Sequence, residues 1–216
     1  MKNTTYLKSS VLAMATLAAS ASLSQAVVLF SSIGTTAGTT SNITDGNNAG
    51  KALNFVTASG DDYSLDTVRL SLSGATTDEL NNVNLAIWSD DGTSAPIGTL
   101  LSDLSYTGNS TGNIFEFAPD SAITLAANTT YWVALASFDN TGESVGWESF
   151  TEAATGTASN TAGLFATGGT GSNPGAWTSS SGLLNAFEVN GTVVPEPSSA
   201  ALLGLGGLAL ILRRRK

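Results

Sequence analysis

Leu65-Asp66-Thr67-Val68-Arg69-Leu70-Ser71-Leu72 alternates apolar and polar side chains with period two. An extended chain therefore carries Val68, Leu70 and Leu72 on one face and Arg69 and Ser71 on the other, the pattern of a half-buried strand. The alternation recurs along the chain. Val83-Asn84-Leu85-Ala86-Ile87-Trp88 turns Val83, Leu85 and Ile87 one way, and Asn113–Phe117 groups Phe115 with Phe117 opposite Glu116. Tyr131-Trp132-Val133-Ala134-Leu135-Ala136 sets Tyr131, Val133 and Leu135 against Trp132, which is compatible with burial on both faces.

Further strands are predicted at Val27–Ile33, Leu53–Val56, Gly98–Leu104, Ile123–Leu125, Val145–Phe150, Ala162–Thr167 and Leu183–Val189. Gly, Asn, Asp, Ser and Thr clusters punctuate them at short intervals. No body segment sustains a 3.6-residue apolar stripe over three turns. These features predict an all-β fold: an antiparallel β-sandwich of jelly-roll type, flanked by an N-terminal signal helix and a C-terminal apolar helix. Two low-complexity stretches, Gly34–Gly50 and Thr151–Gly182, are expected to form long surface loops.

The composition removes much chemistry. The chain has 216 residues, 23 of them Gly, with no Cys and no His. Disulfides, thiolate nucleophiles, imidazole bases and Cys- or His-based zinc sites are therefore excluded. A net charge of −9 argues against nucleic acid as a partner. Six of the eight basic residues are Lys2, Lys8 and Arg213 to Lys216, so between Val27 and Val194 only Lys51 and Arg69 face sixteen acids. The acidity belongs to the body and favours its solubility.

The two ends are addresses. Lys2 and Lys8 precede an apolar stretch from Val11 to Leu23, and Ser24-Gln25-Ala26 supplies small residues for a cut after Ala26. This pattern predicts a secretory signal peptide over residues 1–26, with Ala19-Ser20-Ala21 as a second small-residue option; the Sec translocon and signal peptidase are the expected partners. At the other end, Pro195-Glu196-Pro197 leads through two serines to an apolar run, Ala200–Leu212, and then to Arg213, Arg214, Arg215 and Lys216. The run spans roughly 20 Å as a helix, against a hydrocarbon core of roughly 30 Å, and so needs the flanking serines and snorkelling basic side chains to cross. The basic cluster acts as a stop-transfer signal and leaves everything before Pro195 outside. The expected organisation is a signal peptide at 1–26, one extracytoplasmic domain at 27–194, and a sorting and anchoring tail at 195–216.

The order of proline-acid-proline, apolar helix and terminal arginine cluster resembles the PEP-CTERM sorting signal of Gram-negative bacteria. That resemblance implies recognition and removal of the tail by an exosortase, after transient inner-membrane anchoring, and delivery to the cell surface or an exopolysaccharide matrix. The body resembles the choice-of-anchor β-sandwich domains, most closely type R. The residues that carry this likeness are Tyr63–Leu70, Asn84–Gly92, Pro96–Gly98 and Leu125–Leu135, within a span from Lys51 to Val189. That family implies a surface module and supplies no catalytic residues.

Three site hypotheses follow from side-chain chemistry. Trp147 and Trp177 have Gly and polar neighbours that place them near turns, where an indole can stack on a sugar; Trp88 and Trp132 sit within strand runs and are read as packing. Asp139, Thr141 and Glu143 alternate around Gly142 and could hold calcium, Ca2+, although the spacing departs from an EF-hand loop. Turn chemistry equally selects such Asp and Asn residues, here and at Asp61-Asp62 and Asp90-Asp91-Gly92. A carboxylate pair for glycoside hydrolysis is conceivable, but nothing selects one, so no enzyme activity and no catalytic residue are expected. The sequence therefore predicts an exported, non-catalytic structural or adhesive module, with a carbohydrate-binding module for exopolysaccharide, assisted by calcium, as the alternative.

Overall fold

A computed structural model of the chain describes residues 25–35, 37–44, 49–76, 79–80, 83–92, 97–136, 144–160, 163–167, 176–180 and 184–195. Its named elements are all strands: β1 (Ala26–Ser31), β2 (Ala37–Thr44), β3 (Ala49–Val56), β4 (Tyr63–Ser73), β5 (Asn84–Asp90), β6 (Ile97–Thr111), β7 (Ile114–Pro119), β8 (Thr124–Leu125), β9 (Thr130–Ala136), β10 (Ser144–Phe150), β11 (Thr155–Gly156), β12 (Gly163–Thr167), β13 (Ala176–Ser180) and β14 (Phe187–Val193). Among the described residues only Glu79 and Leu80 are helical. They follow a capping box in which the Glu79 carboxylate accepts the Thr76 N–H and the Thr76 hydroxyl accepts the Glu79 N–H.

The alternation read from the sequence decides which side of each strand is packed. Val68, Leu70 and Leu72 are wholly buried, as are Ile87, Val133, Leu135 and Val189. Together with Phe30, Ile43, Phe55, Phe117, Trp147 and Phe187 they form the main core. Every pairing is antiparallel, and the main path runs β11-β1-β14-β4-β7-β6-β5-β9-β3-β12-β13, with β10 joined to β4 and β2 joined to β10.

The architecture is a single curled antiparallel sheet, a half-barrel, and nothing in it establishes the expected jelly-roll sandwich. Curling brings distant strands together. Phe55 of β3 and Phe187 of β14 are six places apart in the sheet path, yet their rings lie 6.5 Å apart across the core. One short segment closes the shell between β1 and β3: Ala158 N–H bonds to Leu29 O, and Val56 and Ser159 exchange backbone hydrogen bonds. Gly156 permits the approach, because its φ is +106° and a Cβ there would fall 2.3 Å from Leu29 O. A period-two pattern specifies which side of a strand is buried; it does not say whether the buried side faces a second sheet or the far wall of the same one.

The expected loops are partly strands. Gly34–Gly50 contains β2, which pairs with β10 from Ser144↔Thr44 to Phe150↔Ala37, and Thr151–Gly182 contains β11 and β13 besides β12, the strand expected at Ala162–Thr167. Thr is a strong strand former, and Ile43 anchors β2 in the core. Both expected flanking helices fall on segments outside the described residues. Among the described residues no helix is long and apolar enough to cross a membrane.

Candidate functional site

Because successive side chains alternate, the residues that do not enter the core form the outer face of the shell, and this face has two halves. Over β14, β4 and β7 it is polar. Arg69 stands in register between Glu188 and Glu116, and its Nη1 lies 2.8 Å from Glu188 Oε1. Asn190 Nδ2 donates to Thr67 Oγ1 and to Glu188 Oε1, both at 3.2 Å, and Asn109 Nδ2 donates to Glu116 Oε1 at 2.8 Å. Next along the face, Glu148 accepts from Ser71 Oγ at 2.7 Å and from Asn113 Nδ2 at 3.2 Å. Burial pushes the Glu188 carboxyl up, but hydrogen bonds from Arg69, Asn190 and Ser31, with the guanidinium charge, outweigh it and hold the group below its ordinary value. A hollow of about 320 Å³ beside this network is lined by Arg69, Asn109, Ser110, Thr111, Ile114 and Glu116.

Over β5, β9 and β3 the outer face is mainly apolar, with Asn54 the polar residue opposite Trp132. The register sets Trp88 directly opposite Trp132, and Ala86 opposite Ala134, which is in turn opposite Ala52. Ala52, Trp132 and Ala134 form a second buried cluster, separate from the main core, against which Trp88 and Trp177 pack. Trp177 reaches it from β13, the strand at the end of the sheet path. The Trp132 ring is buried, and its indole N–H has no hydrogen-bond partner among the described residues. Three indoles over a floor of alanines form an aromatic cluster, with Trp88 and Trp177 at its partly exposed margin.

This arrangement revises the aromatic hypothesis. Trp147 is not at a turn: it lies within β10, is wholly buried, and donates its indole N–H to Ala186 O at 2.8 Å. A ring enclosed in this way cannot stack on a sugar. Its surroundings are polar at the backbone, because Asn185 Nδ2 also donates to Trp147 O and Ser41 Oγ donates to Asn185 Oδ1. Buried Lys51 joins the same line through its Nζ, 3.0 Å from Ser41 Oγ, and burial pushes its ammonium below the usual lysine range. Trp88 and Trp132, read as packing, instead meet Trp177 on the outer face. Their parity carried the signal: both fall opposite the core-facing residues of their strands.

The other predicted residues divide between described and undescribed segments. Ala26, the expected cleavage residue, opens β1 and pairs with Thr192, and Pro195 is exposed at the end of the described chain. Glu196, Pro197, Arg213, Arg214, Arg215 and Lys216 lie outside the described residues, as do Asp139, Thr141 and Glu143. Among the described residues no group of three or more acids could hold a metal ion. Asp90 does turn chemistry, accepting the Gly92 N–H at 3.1 Å, whereas Asp62 ties two distant turns together by accepting the Ala127 N–H at 2.8 Å.

The domain is thus an all-β shell whose last strand runs directly into the segment read as an address. That segment is a PEP-CTERM protein-sorting motif, matched over residues 193–216. The motif implies an exported protein with a C-terminal membrane-anchoring signal, processed by exosortase. No curated protein and no solved structure matches the chain, and no family match supports the likeness of the body to the choice-of-anchor domains.

Proposed function

We propose that the domain at 27–194 is a non-catalytic structural or adhesive module, exported through the Sec translocon, freed by signal peptidase, and released to the surface or extracellular matrix of a Gram-negative cell. The observation that carries this reading is continuity. Val194 donates its N–H to Asp62 O, so among the described residues the last tie to the shell falls at the start of the sorting motif. An apolar core fills the shell, and a chain without His or Cys keeps a narrow catalytic repertoire. A choice-of-anchor body is consistent with this role. Mass spectrometry of surface-associated protein tests the processing step: the mature chain should lack Arg213 to Lys216, and an intact C-terminus would contradict release.

A second reading, carbohydrate binding, is favoured by the aromatic cluster. Trp88 and Trp177 offer indole surface at the margin of an apolar patch, the chemistry that stacks on pyranose rings, and exopolysaccharide is the ligand that the destination makes available. Affinity electrophoresis of the native chain and a W88A/W177A variant through a panel of polysaccharides separates the readings. Selective retardation of the native chain supports binding; equal mobility in every gel removes it. Calcium assistance through Asp139, Thr141 and Glu143 predicts a thermal midpoint that falls on chelation.

A further inference from the structure

Val27, Val28 and Val194 are three of the four large apolar side chains classed as exposed among the described residues, at 38%, 42% and 36%. All three lie at one end of the shell. β1 and β14 are antiparallel, with Ala26 beside Thr192 and Val27 beside Gly191, so the start of the first strand and the finish of the last leave the fold side by side. Tyr63, which opens β4, pairs with Val193, and the adjacent Asp62 O accepts the Val194 N–H at 2.8 Å. The fourth exposed residue, Leu184, precedes β14 and belongs to the opposite end.

The tether between this end and the membrane is short. From Val194 to Ala200, where the apolar run begins, the chain extends at most about 20 Å. A domain of this size has a radius of gyration of about 15 Å, so the tether is shorter than the domain is wide. While the tail is anchored, the end carrying Val194 stays within reach of the bilayer surface. It also presents the apolar side chains that favour the boundary between headgroups and acyl chains.

We propose that this end, formed by Val27, Val28 and Val194 with the flanking turns at 58–62 and 126–128, seats on the lipid headgroup surface of the membrane that holds the unprocessed tail. Charge selects the lipid. Asp61 and Asp62 are exposed at the same end and outnumber the single α-amino group that a cut after Ala26 leaves on Val27, so zwitterionic headgroups accept it and anionic headgroups repel it. Seating holds the exposed Pro195 at headgroup height, where a protease embedded in the same bilayer meets the motif.

The test uses the chain purified with its tail from an exporting host that lacks the processing protease. Co-flotation with phosphatidylcholine vesicles establishes anchoring. In phosphatidylcholine nanodiscs with headgroup spin labels, the amides of Val27, Val28, Asp62 and Val194 should broaden several-fold more than those of Ser71, Gly112 and Asn113. The latter lie roughly 27 Å away along β4, at about 3.4 Å per residue. A V27S/V28S/V194S variant with an unchanged unfolding midpoint should lose most of this difference, and phosphatidylglycerol should reduce it. Failure to co-float removes the anchor and the seat with it. Co-flotation with equal broadening at both ends overturns the seat and leaves the anchor standing. Protection of the same amides only by added protease, or by raised protein concentration without lipid, assigns this end to the enzyme or to a second copy and likewise overturns it.

Discussion

The two halves of the outer face solve one problem in opposite ways. Over β14, β4 and β7, the side chains turned away from the core pair with one another: Arg69 with Glu188, Asn109 with Glu116, and Ser71 and Asn113 with Glu148. Such a surface needs no cover, because its polar atoms bond to neighbours or to water. Over β5, β9 and β3, Trp132, Ala134 and Ala52 are buried away from the main core, with Trp88 and Trp177 packed against them. The lesson concerns where stability resides. The apolar half gains from area removed from water, whereas the polar half gains from networks whose members fail when one partner is deleted.

Substitutions can break this contrast, and the largest effect belongs to the apolar half. Trp132→Ala should lower stability by about 3–5 kcal/mol in urea unfolding, since it empties the centre of the cluster. Trp132→Phe should recover much of that loss, because it keeps an aromatic ring and removes an indole N–H that has no partner among the described residues. In the polar half, Glu148→Ala should cost about 1–3 kcal/mol by leaving the buried Ser71 hydroxyl without its acceptor. A loss as large as that of Trp132→Ala would erase the distinction between the halves.

Smaller effects sharpen it. Trp177→Ala, at the partly exposed margin of the cluster, should cost about 1 kcal/mol, in proportion to the area it covers. Arg69→Met should cost about 0.5 kcal/mol at neutral pH, because the guanidinium side chain is about one-third exposed and solvent screens the pair. This last effect should depend on acid. The Glu188 carboxyl is held below its ordinary value near 4.5, so its contribution is whole above that pH and is lost as pH falls through the lowered folded value. Unfolding curves of the two chains should converge over that acid range, while those of Trp177→Ala keep their separation from the native chain.

The residues from which the fold can be read in the sequence are those whose pattern is local. Leu65–Leu72 and Tyr131–Ala136 state their own alternation, and both strands bury the expected side chains. β2 and β13 were not legible in this way, because their Gly, Ser and Thr residues also spell loop, and their strand state depends on β10 and β12 as partners. Trp147 was obscured by its neighbours. Gly146 reads as a turn residue, yet a Cβ there would crowd Ser73 and Thr40, side chains from the strands on either side of β10. The aromatic cluster needed the register between β5 and β9, which no single segment contains. The sorting motif, by contrast, is contiguous and was complete in the sequence.

The position of β14 has a mechanical consequence. It lies between β1 and β4, bonded to both, and its C-terminal end continues into the tail. A load between Pro195 and the far end of the shell, near the Gly112-Asn113 hairpin, pulls β14 along its own axis and shears both ladders at once, so that many hydrogen bonds share the force. A load between Pro195 and Val27 instead peels β14 from β1 one pair at a time. The shell is therefore stiff to traction between membrane and surroundings, and weak to traction between its own two ends.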